Sequence, residues 1–530
     1  MRVLVSDKLS ERGMKILQEG KGISVDAKTG LKPEELIKII GDYDALVIRS
    51  NTKVTPEIVE AATHLKVIGR AGIGVDNVDL PSASKKGIVV MNTPTGNAVT
   101  TAEHAIAMMF AVSRKIPQAT ASLKAGKWEK NQFTGRELTG KILGIIGAGN
   151  IGKIVANRAL GLKMQVMAFD PFLSKEVAEK IGIQSVGLDE LVQRSDYITI
   201  HTPLNDKTRD LVNAALFKKM KKGVFVINCA RGGIVNEKDL EEAIRSGIVA
   251  GAALDVFVKE PPPADHPLLQ LDQVVVTPHL GAATGEAQEN VATEIAAQIV
   301  DFLVNGTITN AVNVPSVSGE MLKVMQPYIS LAEKLGGLQG QLTDRLPQEL
   351  TIEYRGDVTR FDGQPLTAAL LKGFLSAMIG DTNTTVNYVN APYIAKDRGL
   401  KIVESKVSEH QDFSSLITLT VKSDREQSVV SGTIFGKTNP RIVQWNEFYL
   451  EASPEGQILV IYNEDVPGVI GMIGTYLGEK KINISRMQLG LGAKAKKAVG
   501  FFNVEGGVTP EIVAGLKKLK HIISVHHVSL

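Results

Sequence analysis

The sequence predicts an α/β protein in which parallel β-sheets fill the first half and mixed α+β units follow. Residues 1–97 and 141–281 alternate short β-branched runs with helical segments, which is typical of parallel sheets covered by helices on both faces. Residues 320–452 mix helices with strands of alternating polarity and read as α+β. From residue 453 onward the pattern is strand, helix, strand, strand, helix, strand, a ferredoxin-like βαββαβ unit.

Size and composition indicate a soluble protein of several domains. The chain has 530 residues, too long for a single core, and we expect about three or four domains. Hydrophobic residues make up 44% and charged residues 22%, ordinary values for a globular protein. The net charge of +3 is too small to favour nucleic acid or an anionic membrane as a partner, although a local cationic pocket stays possible.

The single cysteine, Cys229, excludes an intrachain disulfide and fits a reducing compartment. The N-terminal MRVLVSDKLS lacks the long apolar core of a signal peptide, and the chain has no uninterrupted apolar stretch of about 18 residues. We therefore expect a cytoplasmic protein.

The first two units are predicted from their apolar runs. Strands of the first unit are expected at 3–5, 45–48, 66–68 and 88–90, followed by a long helix over 99–113. The second unit shows six candidate strands, at 142–146, 165–168, 197–200, 224–227, 249–254 and 274–276. A helix over 286–304 is long enough to cross back, which would make the first unit discontinuous, 1–97 plus 282–314.

The second half is divided by two breaks. A linker is expected at 314–319 and another break at 452–456, since both contain proline, serine and glycine. Between them, helices are expected over 321–337 and 367–379 and strands over 350–354 and 416–421.

A glycine-rich turn follows the strand at 142–146 and predicts a dinucleotide site. In the segment GAGNIG, Gly147 permits a tight turn, Gly149 lets the backbone approach a pyrophosphate, and Gly152 lets helix and strand pack closely. The N-terminus of the following helix offers free N–H groups to the phosphates. Asp170 ends the next strand at the spacing expected for an acid on the adenosine ribose, and its charge would repel a 2′-phosphate. The sequence therefore predicts NAD rather than NADP.

Convergent polar residues follow three other strands of this unit. Arg231 follows a very apolar strand, whose carboxyl end should face the cofactor crevice. Its guanidinium could bind a planar carboxylate through two parallel hydrogen bonds. His279 suits a base that removes a hydroxyl proton near neutral pH, and Glu260 is the best candidate to orient its ring. His201, at another strand end, is the main competitor for the base, whereas His104 lies in a helix and is expected to be structural.

The motifs GIIGAGNIG, HTPL, NCARGGIVNE, GAALDVF with EPP, and TPHLGAAT occur in one order over residues 1–314. This ordered set resembles the D-isomer-specific 2-hydroxyacid dehydrogenase family. The resemblance implies that Arg231 orients the substrate, His279 is the acid/base and Glu260 supports it, and it makes His201 a cofactor-side residue. It implies further NAD contacts at Asn150, Ile151, Thr202, Cys229, Ala230, Arg231, Asp255, His279, Gly281 and Ala282.

The whole chain is similar to the long members of this family, which oxidise 3-phospho-D-glycerate in serine biosynthesis. The resemblance implies a Rossmann-type NAD domain (98–281) inserted in a flavodoxin-like substrate domain (1–97 and 282–314), then an intervening domain (315–452) and an ACT regulatory domain (453–530). It implies a homotetramer, no metal, and substrate contacts at Arg49, Arg70, Gly72 and Ile73. L-Serine is the implied effector at Asn463, Asp465 and Asn483, against the alternative of a purely structural ACT pair.

Two other functions stay open at this point. The first is oxidation of another D-2-hydroxy acid, such as glycerate or 2-hydroxyglutarate. The second is an NAD-sensing protein without catalysis, against which the Arg231, Glu260 and His279 set argues, because a sensor needs no base.

Overall fold

The first sheet is parallel throughout and has the flavodoxin-like strand order. The computed structural model describes residues 1–314, 319–343, 346–379, 386–409, 412–423, 427–492 and 496–530. The strands are β1 (Arg2–Val5), β2 (Ser24–Ala27), β3 (Ala45–Ile48), β4 (Val67–Arg70) and β5 (Val89–Met91), with helices α1 (Glu11–Glu19), α2 (Pro33–Ile39), α3 (Pro56–Ala61) and α4 (Leu80–Lys85). Their order is β2-β1-β3-β4-β5. The sequence did not predict β2, because this edge strand, SVDA, is short and polar.

The second sheet is also parallel and contains the predicted strands with small changes at their ends. Long helix α5 (Ala98–Arg114) and α6 (Ile116–Lys124) lead into it. Its strands are β6 (Ile142–Ile146), β7 (Gln165–Phe169), β8 (Gln184–Ser185), β9 (Tyr197–Ile200), β10 (Val224–Asn228), β11 (Val249–Leu254) and β12 (Val274–Val276). The intervening helices are α7 (Asn150–Gly161), α8 (Lys175–Lys180), α9 (Leu188–Arg194), α10 (Ala214–Phe217) and α11 (Glu237–Arg245).

The strand order of the second sheet is β12-β11-β10-β9-β6-β7-β8, the doubly wound arrangement of a Rossmann-type fold. The predicted fold class is thereby confirmed for this part of the chain. The sequence missed β8, because an edge pairing of two residues leaves no apolar run. The order reverses between β6 and β9, and a ligand crevice is expected there, outside the carboxyl ends of the strands.

Helix α12 (Gly285–Asn305) crosses back from the second sheet to the first. Its apolar face is buried against the first sheet, where a Cβ on Gly69 of β4 would lie 2.9 Å from Ile295. Ala292 packs as closely on Gly13 of α1, 2.9 Å from the Cβ position of that glycine. This packing supports the discontinuous first domain, 1–97 and 282–314, which we propose together with the other predicted boundaries.

The third sheet begins after a predicted linker whose residues 315–318 lie outside the described part of the chain. Helix α13 (Gly319–Leu342) precedes it, and its elements are β13 (Glu349–Gly356), α14 (Gln364–Ile379), α15 (Ala391–Asp397), β14 (Lys401–Val407), β15 (Ser415–Lys422), β16 (Gln427–Phe435), β17 (Asn439–Trp445) and β18 (Phe448–Ala452). The order is β14-β13-β15-β16-β17-β18. Only the β13–β14 pair is parallel among the described pairs, so this unit is α+β as predicted.

The C-terminal unit has the predicted βαββαβ order. Its elements are β19 (Gln457–Glu464), α16 (Val469–Glu479), β20 (Asn483–Leu491), β21 (Lys497–Glu505), α17 (Pro510–Lys517) and β22 (Ile522–Ser529), and the antiparallel sheet has the order β20-β21-β19-β22. Alternate residues of β19 point to opposite faces. Ile458 and Val460 pack into one core with Trp445 of the third sheet, while Leu459 and Ile461 pack under α16 and α17.

Candidate active site

The turn between β6 and α7 is built around its glycines. Gly147 has a φ of 96°, and a Cβ there would lie 2.5 Å from the carbonyl oxygen of His201. A Cβ on Gly152 would lie 2.1 Å from the carbonyl oxygen of Gly147, so helix and turn are in direct contact. Gly149, in contrast, has nothing within 4 Å of its Cβ position. Gly147 and Gly152 therefore allow close approach of the protein's own backbone, whereas Gly149 faces open space.

Gly149 is also the N-cap residue of α7 and has no side chain with which to cap the helix. The N–H groups of the first turn of a helix lack intrahelical partners, and they favour an anion. An uncapped helix start facing open space fits the pyrophosphate of a dinucleotide.

Asp170 lies beside this turn at the end of β7. Its Oδ2 accepts a hydrogen bond from the Ala148 N–H at 2.8 Å, and its Oδ1 accepts one from the Phe172 N–H at 2.8 Å. These bonds fix the carboxylate next to the glycine turn. Each carboxylate oxygen has a further lone pair, so the predicted ribose contact is compatible with this arrangement.

A cleft of about 680 Å³ opens between the first and second sheets. Most residues predicted from the sequence to contact cofactor or substrate line it: Arg70, Ile73, Asn150, Ile151, Thr202, Cys229, Ala230, Arg231, His279, Gly281 and Ala282. Burial raises the pKa of the Cys229 thiol, so this residue stays protonated. A protonated thiol is a poor nucleophile, which agrees with the expectation of a lining role.

Several buried polar atoms of the cleft have no protein partner within residues 1–314. They are Nε of Arg70, Oδ1 of Asn97, Nδ1 of His201 and Oγ1 of Thr202. Buried polar groups are normally hydrogen-bonded, so unpaired ones in a cleft indicate a polar ligand. Together with the open helix start at Gly149, they fit a dinucleotide. Burial lowers the pKa of His201 to about 4, which keeps its ring neutral and disfavours it as the acid/base group.

Glu260 and His279 form a hydrogen-bonded pair at the cleft. Nδ1 of His279 lies 2.7 Å from Oε2 of Glu260, whose Oε1 accepts from the Phe257 N–H at 3.1 Å. Burial alone would raise the pKa of Glu260. The two hydrogen bonds lower this pKa by more than burial raises it, so the net pKa lies below its ordinary value. Glu260 is therefore a carboxylate that accepts from Nδ1, and Nε2 of a neutral His279 is left without a proton.

His279 has a φ of 55°, a backbone conformation that residues other than glycine rarely adopt. Its loop is held by Asp255, which is 1% exposed and accepts from the N–H groups of Leu280 at 2.7 Å and Gly281 at 2.8 Å. Oδ1 of Asp255 also accepts from Thr277 Oγ1 at 2.5 Å. Both oxygens of Asp255 thus bind protein donors and support the His279 loop, while the predicted contact of Asp255 with NAD stays a prediction.

His104 completes this network, with Nε2 3.2 Å from Asp255 and 3.1 Å from Thr277 Oγ1. The structural role expected for His104 agrees with these contacts. Burial raises the pKa of Asp255, the hydrogen bonds from His104 and Thr277 lower it, and the net pKa lies below the ordinary value.

Arg231 reaches across the cleft to the first sheet. Its Nε donates to Oδ2 of Asp76 at 2.6 Å, and its Nη1 donates to the carbonyl oxygen of Ala230 at 2.7 Å. Gly74 makes this reach possible, because a Cβ there would lie 1.5 Å from Nη2. Asp76 was not predicted from the sequence, where Arg70 was the only charged residue of this segment to stand out as a substrate contact. The motif GIGVDN, an acid just after close-approach glycines, was the available signal.

Arg70 lies near Arg231 with its guanidinium over Gly72, where a Cβ would lie 1.6 Å from Nη1. Burial and the nearby charge of Arg231 lower the pKa of Arg70 to about 10, and its Nε has no partner within residues 1–314. Arg49 is placed differently from expectation. It lies outside the described lining of the cleft, and its Nη1 donates to the Lys8 carbonyl at 3.4 Å.

A recess of about 620 Å³ continues from the cleft past Arg70 and His279. Lys53 lines it and forms no ion pair within residues 1–314. Lys53 is a third cation at this recess, beside Arg70 and Arg231, and it was not predicted from the sequence.

The three effector candidates are not brought together within one chain. Asn463 at the end of β19 pairs with Ala498, whereas Asn483 at the start of β20 pairs with Glu505 at the other end of β21. At 3.3 Å per residue, these ends are about 23 Å apart. Asp465 lies beside Asn463. Within a single chain, therefore, Asn483 does not share a pocket with Asn463 and Asp465.

Among the described residues, no group of three or more histidine, cysteine, aspartate or glutamate side chains is arranged to hold a metal ion. Among the described helices, none has both the length and the apolar character needed to cross a bilayer.

Comparison with known proteins identifies two regions of the chain. Residues 106–281 match the NAD binding domain of D-isomer specific 2-hydroxyacid dehydrogenases, and residues 324–446 match the D-3-phosphoglycerate dehydrogenase intervening domain. A D-3-phosphoglycerate dehydrogenase of Archaeoglobus fulgidus is 43% identical over 100% of both chains. One of Bacillus subtilis is 40% identical over 100% of this chain and 99% of its own.

Solved structures match the N-terminal part. An NAD-dependent formate dehydrogenase from Staphylococcus aureus, in complex with NAD, is 30% identical with a TM-score of 0.54, covering 60% of this chain and 100% of its own. A D-lactate dehydrogenase from Aquifex aeolicus, complexed with NAD and lactic acid, is 26% identical with a TM-score of 0.53, covering 60% and 100%.

Proposed function

Because the chain belongs to the D-3-phosphoglycerate dehydrogenases within the D-isomer-specific 2-hydroxyacid dehydrogenase family, and is an NAD-dependent enzyme, we propose that it oxidises 3-phospho-D-glycerate to 3-phosphohydroxypyruvate. This reaction would be the first step of phosphorylated serine biosynthesis. The observation that carries the proposal is the Glu260–His279 pair, 2.7 Å apart, which lines the recess next to the cleft together with Arg231.

His279 acts as the base in this proposal. Its Nδ1 is bound to Glu260, so Nε2 is the nitrogen that takes the proton of the C2 hydroxyl. As that proton arrives the ring becomes an imidazolium, and the carboxylate of Glu260 stabilises the new charge. In the reverse direction His279 returns the proton to the carbonyl oxygen.

Arg231 binds the substrate carboxylate and orients the C2 carbon toward His279. The residues that would hold NAD are the turn at Gly147–Gly152, Asp170 and the cleft wall at Thr202 and Ala230. Bound NAD supplies the acceptor for the hydride that leaves C2. Closure of the two domains over the reactants would exclude water and fix their geometry.

Arg70 is the stronger candidate to bind the phosphate, because it lines the cleft and its Nε is buried without a partner. We propose Arg49, which lies outside the lining of the cleft, as a second and weaker phosphate contact. Replacing Arg70 by Gln is expected to raise KM for phosphoglycerate more than KM for D-glycerate, since only the former carries the phosphate. Arg49→Gln should show the same difference to a smaller extent, and equal effects on both substrates would argue against a phosphate role.

The substrate assignment is tested by steady-state turnover of the purified protein with 3-phospho-D-glycerate, D-glycerate and D-2-hydroxyglutarate, each with NAD and with NADP. We expect the highest kcat/KM with phosphoglycerate and NAD. A higher kcat/KM with an unphosphorylated acid would identify that acid as the substrate instead. Binding of NADH without turnover of any acid would favour the sensor alternative.

We also propose that L-serine inhibits the enzyme at a site between the C-terminal units of two copies. Asn463 and Asp465 lie at one end of the sheet and Asn483 at the other, and β20 is its edge strand. Antiparallel pairing of two β20 edges by a two-fold axis would bring Asn483 of one copy toward Asn463 of the next. The expected homotetramer supplies such a contact.

This regulation predicts that L-serine lowers phosphoglycerate oxidation in the wild type. Asn463→Ala and Asn483→Ala should each abolish the inhibition and leave turnover without serine unchanged, because neither residue lies at the cleft. Binding of serine to only one of the two variants would favour a site within a single chain. Turnover that is unaffected by serine in the wild type would favour the purely structural ACT pair.

A further inference from the structure

The pair formed by Asp76 and Arg231 bridges the cleft. Asp76 follows the glycine segment after β4 in the first unit, and Arg231 follows β10 in the second. Nε of Arg231 donates to Oδ2 of Asp76 at 2.6 Å, a short charge-assisted hydrogen bond. The two side chains are 27% and 51% exposed, so the pair lies at the mouth of the cleft rather than in a core.

The hydrogen bonds of the guanidinium leave one nitrogen available. Nε binds Asp76 and Nη1 binds the carbonyl oxygen of Ala230, whereas Nη2 makes no hydrogen bond within residues 1–314. Nη2 lies in the space that a Cβ on Gly74 would fill, 1.5 Å from that position. The guanidinium is therefore held at two nitrogens and presents the third to the cleft that His279 also lines.

We infer that Asp76 is a positioning residue for the proposed reaction: it holds Arg231 across the cleft so that Nη2 meets the substrate carboxylate. This inference rests on the proposed function of Arg231. A long arginine side chain has many rotamers, and fixing it before substrate arrives reduces the entropy lost on binding. The carboxylate of Asp76 also offsets the repulsion between Arg231 and the neighbouring Arg70.

The bond also links Arg231 to the relative position of the two sheets, since its partners come from different sides of the cleft. Gly74 is part of the same device, because a methyl group there would push Nη2 away from its present position. Asp76 and Gly74 therefore offer two ways to disturb Arg231 without changing it, although a Cβ on Gly74 would also lie 2.8 Å from Oδ2 of Asp76.

The test compares Asp76→Ala, Asp76→Asn and Gly74→Ala with the wild-type full-length protein. We expect Asp76→Ala to lower kcat/KM for phosphoglycerate about 10- to 100-fold, mainly through KM, the effect of losing one charge-assisted hydrogen bond. Asp76→Asn keeps an acceptor oxygen and should lose about 3- to 10-fold. Gly74→Ala should also raise KM. Asp42→Ala is the matched control, because Asp42 is an exposed carboxylate of the same unit, 3.7 Å from Arg2.

Two further measurements separate positioning from a structural role. NADH affinity and Tm should be unchanged in Asp76→Ala, since the bond touches neither the glycine turn nor a core. In an Arg231→Lys background, the Asp76→Ala change should cost less than about 3-fold, because its partner is already altered. The inference is overturned by wild-type kcat/KM in Asp76→Ala, by an undiminished loss in the Arg231→Lys background, or by a parallel loss of NADH affinity.

Failure of the proposed function is distinguishable from failure of this inference. If the wild type oxidises a different D-2-hydroxy acid, the same variants are compared with that acid, because the carboxylate is common to all of them. If it oxidises none, binding of 3-phospho-D-glycerate to the NADH complex is measured by calorimetry for the same set. Equal affinity in the wild type and Asp76→Ala then overturns the inference.

Discussion

Oε2 of Glu260 accepts a hydrogen bond from Nδ1 of His279 at 2.7 Å, and the two residues reach the cleft from separate loops, after β11 and after β12. The bond assigns the proton of a neutral His279 to Nδ1 and leaves Nε2 as the base. It also places a negative charge beside the ring, where a positive charge forms during the reaction.

Replacing Glu260 by Gln is therefore expected to lower kcat about 10²- to 10⁴-fold, because a neutral amide does not stabilise the imidazolium. NADH affinity should change little. Glu237→Gln is the matched control: Glu237 binds Nε2 of His266 at 3.1 Å, a second Glu–His pair that lies outside the cleft lining. Turnover of Glu260→Gln within about tenfold of the wild type would contradict the role assigned to this carboxylate.

Replacing Asp170 by Ala should reduce the preference for NAD over NADP. The carboxylate lies beside the glycine turn and would repel a 2′-phosphate. We expect the ratio of kcat/KM values for NAD and NADP to fall about 10- to 100-fold, the range of one charged hydrogen bond. Asp189→Ala, which removes a surface carboxylate paired with Lys219, serves as the control. An unchanged ratio in Asp170→Ala would argue against a ribose contact.

Replacing two glycines of the same turn by alanine should affect different properties of the protein, NADH affinity in one variant and Tm in the other. Gly149→Ala has free space for its methyl group, so the protein should fold normally and lose NADH affinity by about tenfold or more, because the methyl enters the phosphate site. Gly152→Ala would place its methyl 2.1 Å from a carbonyl oxygen and should lower Tm instead. Gly161→Ala, at the open end of the same helix, should change neither quantity. Equal NADH affinity in Gly149→Ala and the wild type would contradict a pyrophosphate site at this turn.

His201 makes the stability of the protein depend on pH. Its pKa is about 4 in the folded chain and 6.5 in the unfolded one, so the unfolded chain binds the extra proton below pH 6.5. The stability is complete above pH 6.5 and is lost as the pH falls toward 4. Since pH 5 lies about 1.5 units below the unfolded pKa, we expect a loss of about 1–2 kcal/mol between pH 7.5 and pH 5.

Urea unfolding of the wild type and His201→Gln at both pH values measures this loss. The introduced amide does not titrate and would keep a hydrogen bond to Thr199, whose Oγ1 now lies 2.9 Å from Nε2 of His201. The variant should lose about 1–2 kcal/mol less than the wild type over the same interval. Parallel pH dependences of the two proteins would contradict the neutral buried ring.

The sequence predicted the strongly periodic elements and missed those defined by pairing alone. Buried parallel strands such as β10 consist of apolar residues in sequence and were placed within one residue of their observed ends. Edge strands β2 and β8 have no such signal, because their backbone bonds to a neighbour hold them rather than burial of their side chains.

The candidate site shows the same division. Arg231, Glu260 and His279 follow predicted strands, and parallel strands of one sheet end at the same edge, so their proximity followed from the sequence. Asp76 comes from the other sheet, and its contact with Arg231 depends on how the two sheets face each other. The separation of Asn463 and Asn483 likewise depends on strand register, which no local pattern of residues reveals.

The most direct test of the account is NADH formation from 3-phospho-D-glycerate by the wild type and by His279→Ala, with NADH affinity measured in parallel by fluorescence titration. We predict turnover in the wild type, a loss of about 10³-fold or more in the variant, and equal NADH affinity in both, because His279 moves the proton and the glycine turn holds the cofactor. Near-normal turnover in His279→Ala, or none in the wild type, would contradict the account.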